Sequence, residues 1–244
     1  MSEHEPSLVE KRERYIRRMI ELKRGLDVQF EGLSPSGSGC SNRHGMPQVP
    51  VGQHRSKKWP VLDLGVHPEI GRDEWELEIT GLVEQPVRLD WEAFMALPQV
   101  TESSDFHCVT SWSCLDYAFG GVHFKDLASL VVPKPEARFI LTTGYDVDPG
   151  SGEPYTTNLS LDRALDPDVM LVHTWNDQPL PREHGGPVRM ITPRLYAWKG
   201  AKWIRRIEFT AEEQLGFWER RGYSNTAEPW YDDRFSSDEV PPGY

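Results

Sequence analysis

The chain is short of cysteine, of long apolar runs and of positive charge, and each shortage excludes something. Three cysteines in 244 residues, Cys40, Cys108 and Cys114, cannot all pair and do not make a disulfide framework. No stretch approaches the ~18 apolar residues that a membrane-spanning helix requires. Arg17-Arg18 is followed by Met19-Ile20-Glu21-Leu22-Lys23 rather than by an apolar segment, so neither a secretory nor a twin-arginine leader fits. With 27 Lys and Arg against 38 Asp and Glu, the net charge of −11 argues against a general nucleic-acid binder, which needs a basic footprint. No internal repeat is visible. These absences lead us to expect a cytoplasmic protein with reduced thiols and no membrane span.

What is present suits one sizeable domain with tails. Apolar residues make up 38% and aromatics 11% of the chain, enough for a core. Residues 1–50 carry 8 bases against 7 acids. Within them Ser7 to Leu26 reads as a charged helix, and Ser34–Asn42, rich in Gly and Ser, as a flexible linker. Gly37-Ser38-Gly39 lacks the preceding strand and third glycine of a nucleotide loop. Residues 51–210 read as the compact domain. Trp75, Leu77 and Ile79 alternate with polar neighbours, the period of a half-buried strand, and Gly81 breaks it. Asp90 caps a short helix through Trp91, Phe94 and Leu97, stopped by Pro98. Further strands are expected at Phe139–Thr143, Val169–Thr174, Val188–Thr192 and Trp203–Phe209, with a turn at Asn176-Asp177. Numerous strands without regular βαβ alternation predict a mixed α+β domain dominated by sheet. The acidic 211–244 tail is expected to wrap that domain through Phe217, Trp218, Tyr223, Trp230 and Tyr231.

Two anomalies carry candidate chemistry. From His184 to Ile207 there are six bases, Arg189, Arg194, Lys199, Lys202, Arg205 and Arg206, and no acid. Either this is an anion site, with Gly185-Gly186 and Gly200 letting backbone approach, or it is a solvated strand face. His54, Arg55, Lys57 and Lys58 form a smaller basic cluster. The second anomaly is Phe106-His107-Cys108-Val109-Thr110-Ser111-Trp112-Ser113-Cys114. A cysteine among such neighbours is commonly an inert buried thiol. A zinc site of His107, Cys108 and Cys114 lacks a second ligand pair at zinc spacing. A Cys–His nucleophile needs an adjacent histidine that sequence does not reveal.

Read together, several strings resemble the molybdopterin-binding domain of the sulfite oxidase family, most of all its small stand-alone bacterial members. They are Asp105–Ser113, His184-Gly185-Gly186-Pro187-Val188-Arg189-Met190-Ile191-Thr192-Pro193 and Tyr196-Ala197-Trp198-Lys199-Gly200-Ala201-Lys202-Trp203-Ile204. More loosely similar are Gly52–Leu62 with Gly65, Tyr155–Leu159 and Gly216–Tyr223. The resemblance spans roughly 50–235, with the motifs in the family's order. It implies an oxidoreductase with a molybdenum–molybdopterin cofactor and Cys108 as the protein's thiolate ligand to the metal, the other sulfurs coming from the pterin dithiolene. It further implies that Arg189 and Lys202 hold the cofactor phosphate and that His184 contacts the pterin. Gly200 and Ala201 would supply backbone donors, with His54 and Arg55 as less secure contacts. Cys114 matches no ligand.

The family's sulfite oxidases carry a base shortly after the metal-binding cysteine, whereas Val109-Thr110-Ser111-Trp112 follows here, as in the family's bacterial sulfoxide reductases. Trp112, Tyr117, Phe119 and Trp198 are candidates for an aromatic wall around a neutral S- or N-oxide. Reduction of such an oxide is therefore the expected reaction, with sulfite oxidation or non-catalytic cofactor binding as alternatives. No Cys-x-x-Cys-His haem site is present and no dimerisation domain follows, so electrons are expected to come from a separate protein or quinone-linked partner.

Overall fold

A computed structural model of the protein describes residues 5–23 and 34–238. The chain opens with helix α1 (Leu8–Lys23) and strands β1 (Gly37–Ser41), β2 (Pro47–Pro50), β3 (His54–Arg55), β4 (Glu76–Gly81) and β5 (Val87–Asp90). Then come α2 (Trp91–Met95), β6 (Val100–Cys108), β7 (Trp112–His123), α3 (Phe124–Val131), β8 (Phe139–Val147), β9 (Pro154–Ser160) and α4 (Leu161–Ala164). Strands β10 (Met170–Trp175), β11 (Gln178–Pro179), β12 (Arg189–Ile191) and β13 (Ile204–Thr210) complete the set. One sheet runs β5-β4-β13-β8-β9; the other runs β11-β10-β7-β3, with β12 also on β10 and β6 also on β7. The mixed, sheet-rich α+β class expected from the strand count is the class observed.

Local rules account for most of these elements. The Asp90 carboxylate accepts from the Ala93 N–H at 2.8 Å and starts α2. Asn176 and Asp177 adopt positive φ, as the tight β10–β11 turn requires. Strand β10 is buried on both faces: Leu171 enters the main core between the sheets and α3, while Met170 and Val172 enter a second cluster around Trp59 and Phe106. The same alternation on β12 sends Met190 to the main core and Ile191 to the second cluster, so Arg189, two residues before Ile191, faces that cluster too.

The linker expected at Ser34–Asn42 is instead largely strand: β1 pairs antiparallel with β2 as an exposed ribbon. Its order comes from far along the chain. Ser36 N–H donates to the Trp230 carbonyl at 3.0 Å, and the Trp230 indole donates to the Pro47 carbonyl at 2.5 Å. Helix α1 ends at Lys23, and its expected continuation to Leu26 falls outside the described residues. In the tail, Phe217, Tyr223 and Trp230 are buried, and Trp218 and Tyr231 half-buried. Lys199 lies beneath this tail, donating to Glu219 Oε1 at 2.9 Å and Asn158 Oδ1 at 3.0 Å, with both members of the ion pair 1% exposed.

Removing the cation alone strands a buried carboxylate, which typically costs about 3–5 kcal/mol. Lys199→Met should therefore lower the melting temperature by roughly 10 °C, at about 2–4 °C per kcal/mol for a domain of this size. A calorimetric melting point equal to that of the wild type would show that the pair does not hold the tail.

Candidate active site

A single cavity of about 770 Å³, measured to its open mouth, collects most of the candidate residues: Cys108, His184, Arg189, Gly200 and Lys202 all line it. Cys108 is the last residue of β6, and Phe106, two residues earlier, shares its face, so the thiol turns toward the cluster that walls the cavity. The chain reverses through Val109-Thr110-Ser111, with the Ser111 N–H on the Cys108 carbonyl at 3.1 Å and Ser111 at φ +72. Thr110 Oγ1 lies 3.2 Å from Cys108 Sγ. Burial pushes the Cys108 thiol up, while the Thr110 hydroxyl and backbone and the charges of Arg12 and Arg234 pull against it.

His184, Arg189 and Lys202 are brought together by glycine. Gly185 sits at φ +104, and a Cβ there would stand 2.9 Å from Lys202 Cβ and 3.0 Å from Arg189 Cβ. Gly200 is equally constrained: a Cβ would meet the Met190 carbonyl oxygen at 2.4 Å. The His184 ring stacks on Trp59 with centroids 4.0 Å apart, and burial lowers its pKa to about 4. Lys202 Nζ donates to the Leu62 carbonyl at 3.2 Å and Asp63 Oδ2 at 3.3 Å; burial, then the Arg189 charge, pull it down to about 8.

Arg189 is the electrostatic centre of the site. Its guanidinium is buried, lies 5.0 Å from the Phe106 ring centroid, and donates to the carbonyls of His184, Met190 and Gly200. Among the described residues it makes no ion pair. Burial lowers its pKa to about 10, because no carboxylate offsets the lost hydration. Two more groups on the wall are incompletely paired: among the described residues Asp146 Oδ1 and Trp198 Nε1 are buried without hydrogen-bond partners. A cationic recess with a spare acceptor and a spare donor suits a heterocycle that carries phosphate, and beside it stands a soft thiol donor for a metal.

Some expected contacts fall elsewhere. Ala201 is buried behind the cavity with Val9, Leu64 and Phe217, and its carbonyl accepts from the Met190 N–H. Gly200 N–H donates to the Ala197 carbonyl, so what Gly200 contributes is its missing side chain rather than a free donor. His54 and Arg55 lie exposed on β3, outside the cavity, where the His54 N–H braces the turn after Cys108 through the Ser111 carbonyl at 3.0 Å. Cys114 points away toward the Lys58 carbonyl, and His107 faces opposite to Cys108, bonded to Ser113 Oγ at 2.8 Å. Among the described residues no group of His, Cys, Asp and Glu side chains is placed to hold a metal ion by itself. Of the six bases in the acid-free stretch only Arg189 and Lys202 reach the cavity; Lys199, Arg194 and Arg206 pair with Glu219, Glu228 and Glu78. Trp112 and Trp198 line the cavity, while Tyr117 and Phe119 pack behind it against Trp59.

Among the lining residues that were not singled out from sequence are Arg12, Asp63 and Asp146. Asp146 carried a signal, since it stands in phase with Ile140 and Thr142 on the buried face of β8, where an acid is out of place. Burial pushes its carboxyl up to about 7, with Lys202 pulling the other way. Asp146 thus binds its proton more tightly in the folded chain than in the unfolded one, and its contribution to stability falls as pH rises from about 4 to about 7. Relative to wild type, cofactor-free Asp146→Asn should gain stability across that interval, by at most about 4 kcal/mol. Urea unfolding at pH 4.5 and 7.5 measures the difference; an effect of the substitution that does not change with pH would contradict it.

Comparison with known proteins agrees with this chemistry. Residues 64–218 match the family described as the oxidoreductase molybdopterin binding domain. The chain is 40% identical over 192 residues to the uncharacterized oxidoreductase YuiH of Bacillus subtilis, covering 78% of this chain and 93% of that one. It is 33% identical over 157 residues to the protein-methionine-sulfoxide reductase catalytic subunit MsrP of Gluconobacter oxydans, covering 60% of this chain and 50% of that one. The sulfane dehydrogenase SoxCD of Paracoccus pantotrophus superposes with a TM-score of 0.55 at 18% identity, over 82% of this chain and 61% of that chain, a likeness of fold. The chain therefore belongs to the oxidoreductase molybdopterin-binding domain family and is an enzyme whose cofactor is molybdenum–molybdopterin.

Proposed function

We propose that this enzyme transfers an oxygen atom between a small S- or N-containing substrate and water, running as an oxide reductase. The observation that carries the reading is one cavity shared by the Cys108 thiol and a buried Arg189 guanidinium that has no carboxylate partner among the described residues. Arg189 and Lys202 bind the cofactor phosphate, each through charge-assisted hydrogen bonds. Asp146 accepts from the pterin's N–H groups, and His184, neutral and fixed against Trp59, contacts the pterin edge. Cys108 Sγ, deprotonated on binding, is the protein's ligand to molybdenum. When bound, the cofactor supplies two-electron oxygen-atom exchange, chemistry that no side chain here provides. The chain's own residues orient the substrate: Trp112, Trp198 and Trp218 offer apolar faces to an oxide's carbon substituents and limit water. The net reaction, oxide plus two electrons and two protons giving the reduced compound and water, needs an electron-transfer protein or quinone-linked partner. Cytoplasmic placement belongs to the same proposal and accords with three free cysteines. Among the described residues no helix is long and apolar enough to cross a membrane.

Loss of one hydrogen bond to a charged group costs about 1.5–3 kcal/mol, or roughly one to two decades of affinity. Arg189→Ala should accordingly purify with molybdenum reduced about tenfold or more by elemental analysis. Cys108→Ser should lose reduced-viologen activity, and Cys114→Ser should keep most of it. Full metal occupancy in Arg189→Ala, or equal losses in the two cysteine variants, would refute the assignments. A kcat/KM for sulfite with a dye acceptor above that for every oxide tested would reverse the direction.

A further inference from the structure

The cavity has one cation that neither the cofactor assignment nor the matched segment 64–218 accounts for. Arg12 lines the cavity from α1, outside that segment. It lies three residues after Val9 and four before Ile16, the two buried residues of the helix, and so belongs to the inward face. Val9 packs with Leu64, Tyr155 and Phe217, and Ile16 packs with Trp198, Tyr223 and Phe235, which fixes the helix over the cavity. The Glu13–Arg221 contact at 2.8 Å and the Lys23–Asp238 contact at 2.6 Å hold it at two further points.

An arginine on the packed face of a helix normally meets a carboxylate. Here, among the described residues, Arg12 makes no ion pair, and Nη1 donates to the Tyr223 hydroxyl at 3.0 Å. Glu13, the nearest acid along the chain, pairs with Arg17 and Arg221 instead. The lining carboxylates Asp63 and Asp146 are associated with Lys202. Among the described residues the cavity wall therefore carries two cationic places: Arg189 with Lys202, and the Arg12 guanidinium on α1, held by the Tyr223 hydroxyl.

We infer that Arg12, oriented by Tyr223, is a specificity-determining residue that grips a negatively charged oxygen of the substrate, selecting small anionic oxides over neutral ones. This rests on the oxygen-transfer reading above and names its substrate class. No base follows Cys108 closely in the sequence; the base that this reading assigns to the substrate reaches the cavity from the N-terminal helix instead.

The test uses the molybdenum-loaded enzyme, with chlorate as anionic probe, dimethyl sulfoxide as neutral probe and reduced viologen as donor. Arg12→Gln should raise KM for chlorate about 10–100-fold, the effect of losing a hydrogen bond to a charged group, and change that for dimethyl sulfoxide less than about threefold. Arg12→Lys should fall between the two. Sulfate, an inert anion, should bind by isothermal titration calorimetry with a Kd about 10–100-fold higher in Arg12→Gln than in the wild type. The molybdenum-to-protein ratio should be the same in both. Equal sulfate binding, or equal loss toward both probes, overturns the assignment, as does loss of molybdenum with Arg12→Gln, which would give Arg12 to the cofactor. Should Arg12→Gln not fold, Tyr223→Phe removes only the orienting hydroxyl and should raise KM for chlorate selectively; no selectivity there overturns it equally. Wild-type protein without molybdenum would instead refute the cofactor-site reading, a separate result.

Discussion

A guanidinium buried without a countercharge among the described residues is the constraint around which this site is organised. Desolvating Arg189 is costly, and three backbone carbonyls compensate only in part, as the fall of its pKa to about 10 records. The sheet leaves the side chain no alternative, because turning Arg189 outward would drive Ile191 with it and expel Met190 from the main core. An anionic group at that point discharges the strain, so cofactor binding and stability are coupled: what binds only the folded chain stabilises it. The glycines at 185 and 200 serve the same end by letting the strands and turns around Arg189 close to backbone contact.

Around this centre the work is divided between the middle of the chain and its flanks. The matched segment supplies the thiol, the cationic pair and the orphaned Asp146 acceptor. The flanks supply much of the wall: Arg12 from α1, Trp59 and Asp63 from the approach to β4, and Tyr223 from the tail. Helix α1 and the tail pack against each other through Ile16, Tyr223 and Phe235. That division allows a family to keep one cofactor while varying what reaches it.

The legible parts of the fold were those decided locally. Alternation revealed β4, the strands expected at β8, β10, β12 and β13 fall within a residue or two at most ends, and the Asp90 cap placed α2. The acid-free stretch pointed to the right region and the family resemblance singled out Arg189 and Lys202 within it, while the geometry pairs Lys199, Arg194 and Arg206 with Glu219, Glu228 and Glu78. The β1–β2 ribbon was hidden because its order depends on Trp230, nearly two hundred residues away. Arg12 was hidden for a related reason: spacing shows that it shares a face with Val9 and Ile16, but not what that face meets. Gly200 and Ala201 matched the family pattern by position, while the Gly200 N–H is engaged by the Ala197 carbonyl and the Ala201 carbonyl by the Met190 N–H.

The account stands or falls on Cys108 binding the metal within the cavity that Arg189 charges. Molybdenum-edge X-ray absorption on the purified enzyme reads this directly. The account predicts one more sulfur ligand than the dithiolene of the cofactor supplies. A sulfur count met by the dithiolene alone would contradict it, because Cys108 would then be a bystander to the metal.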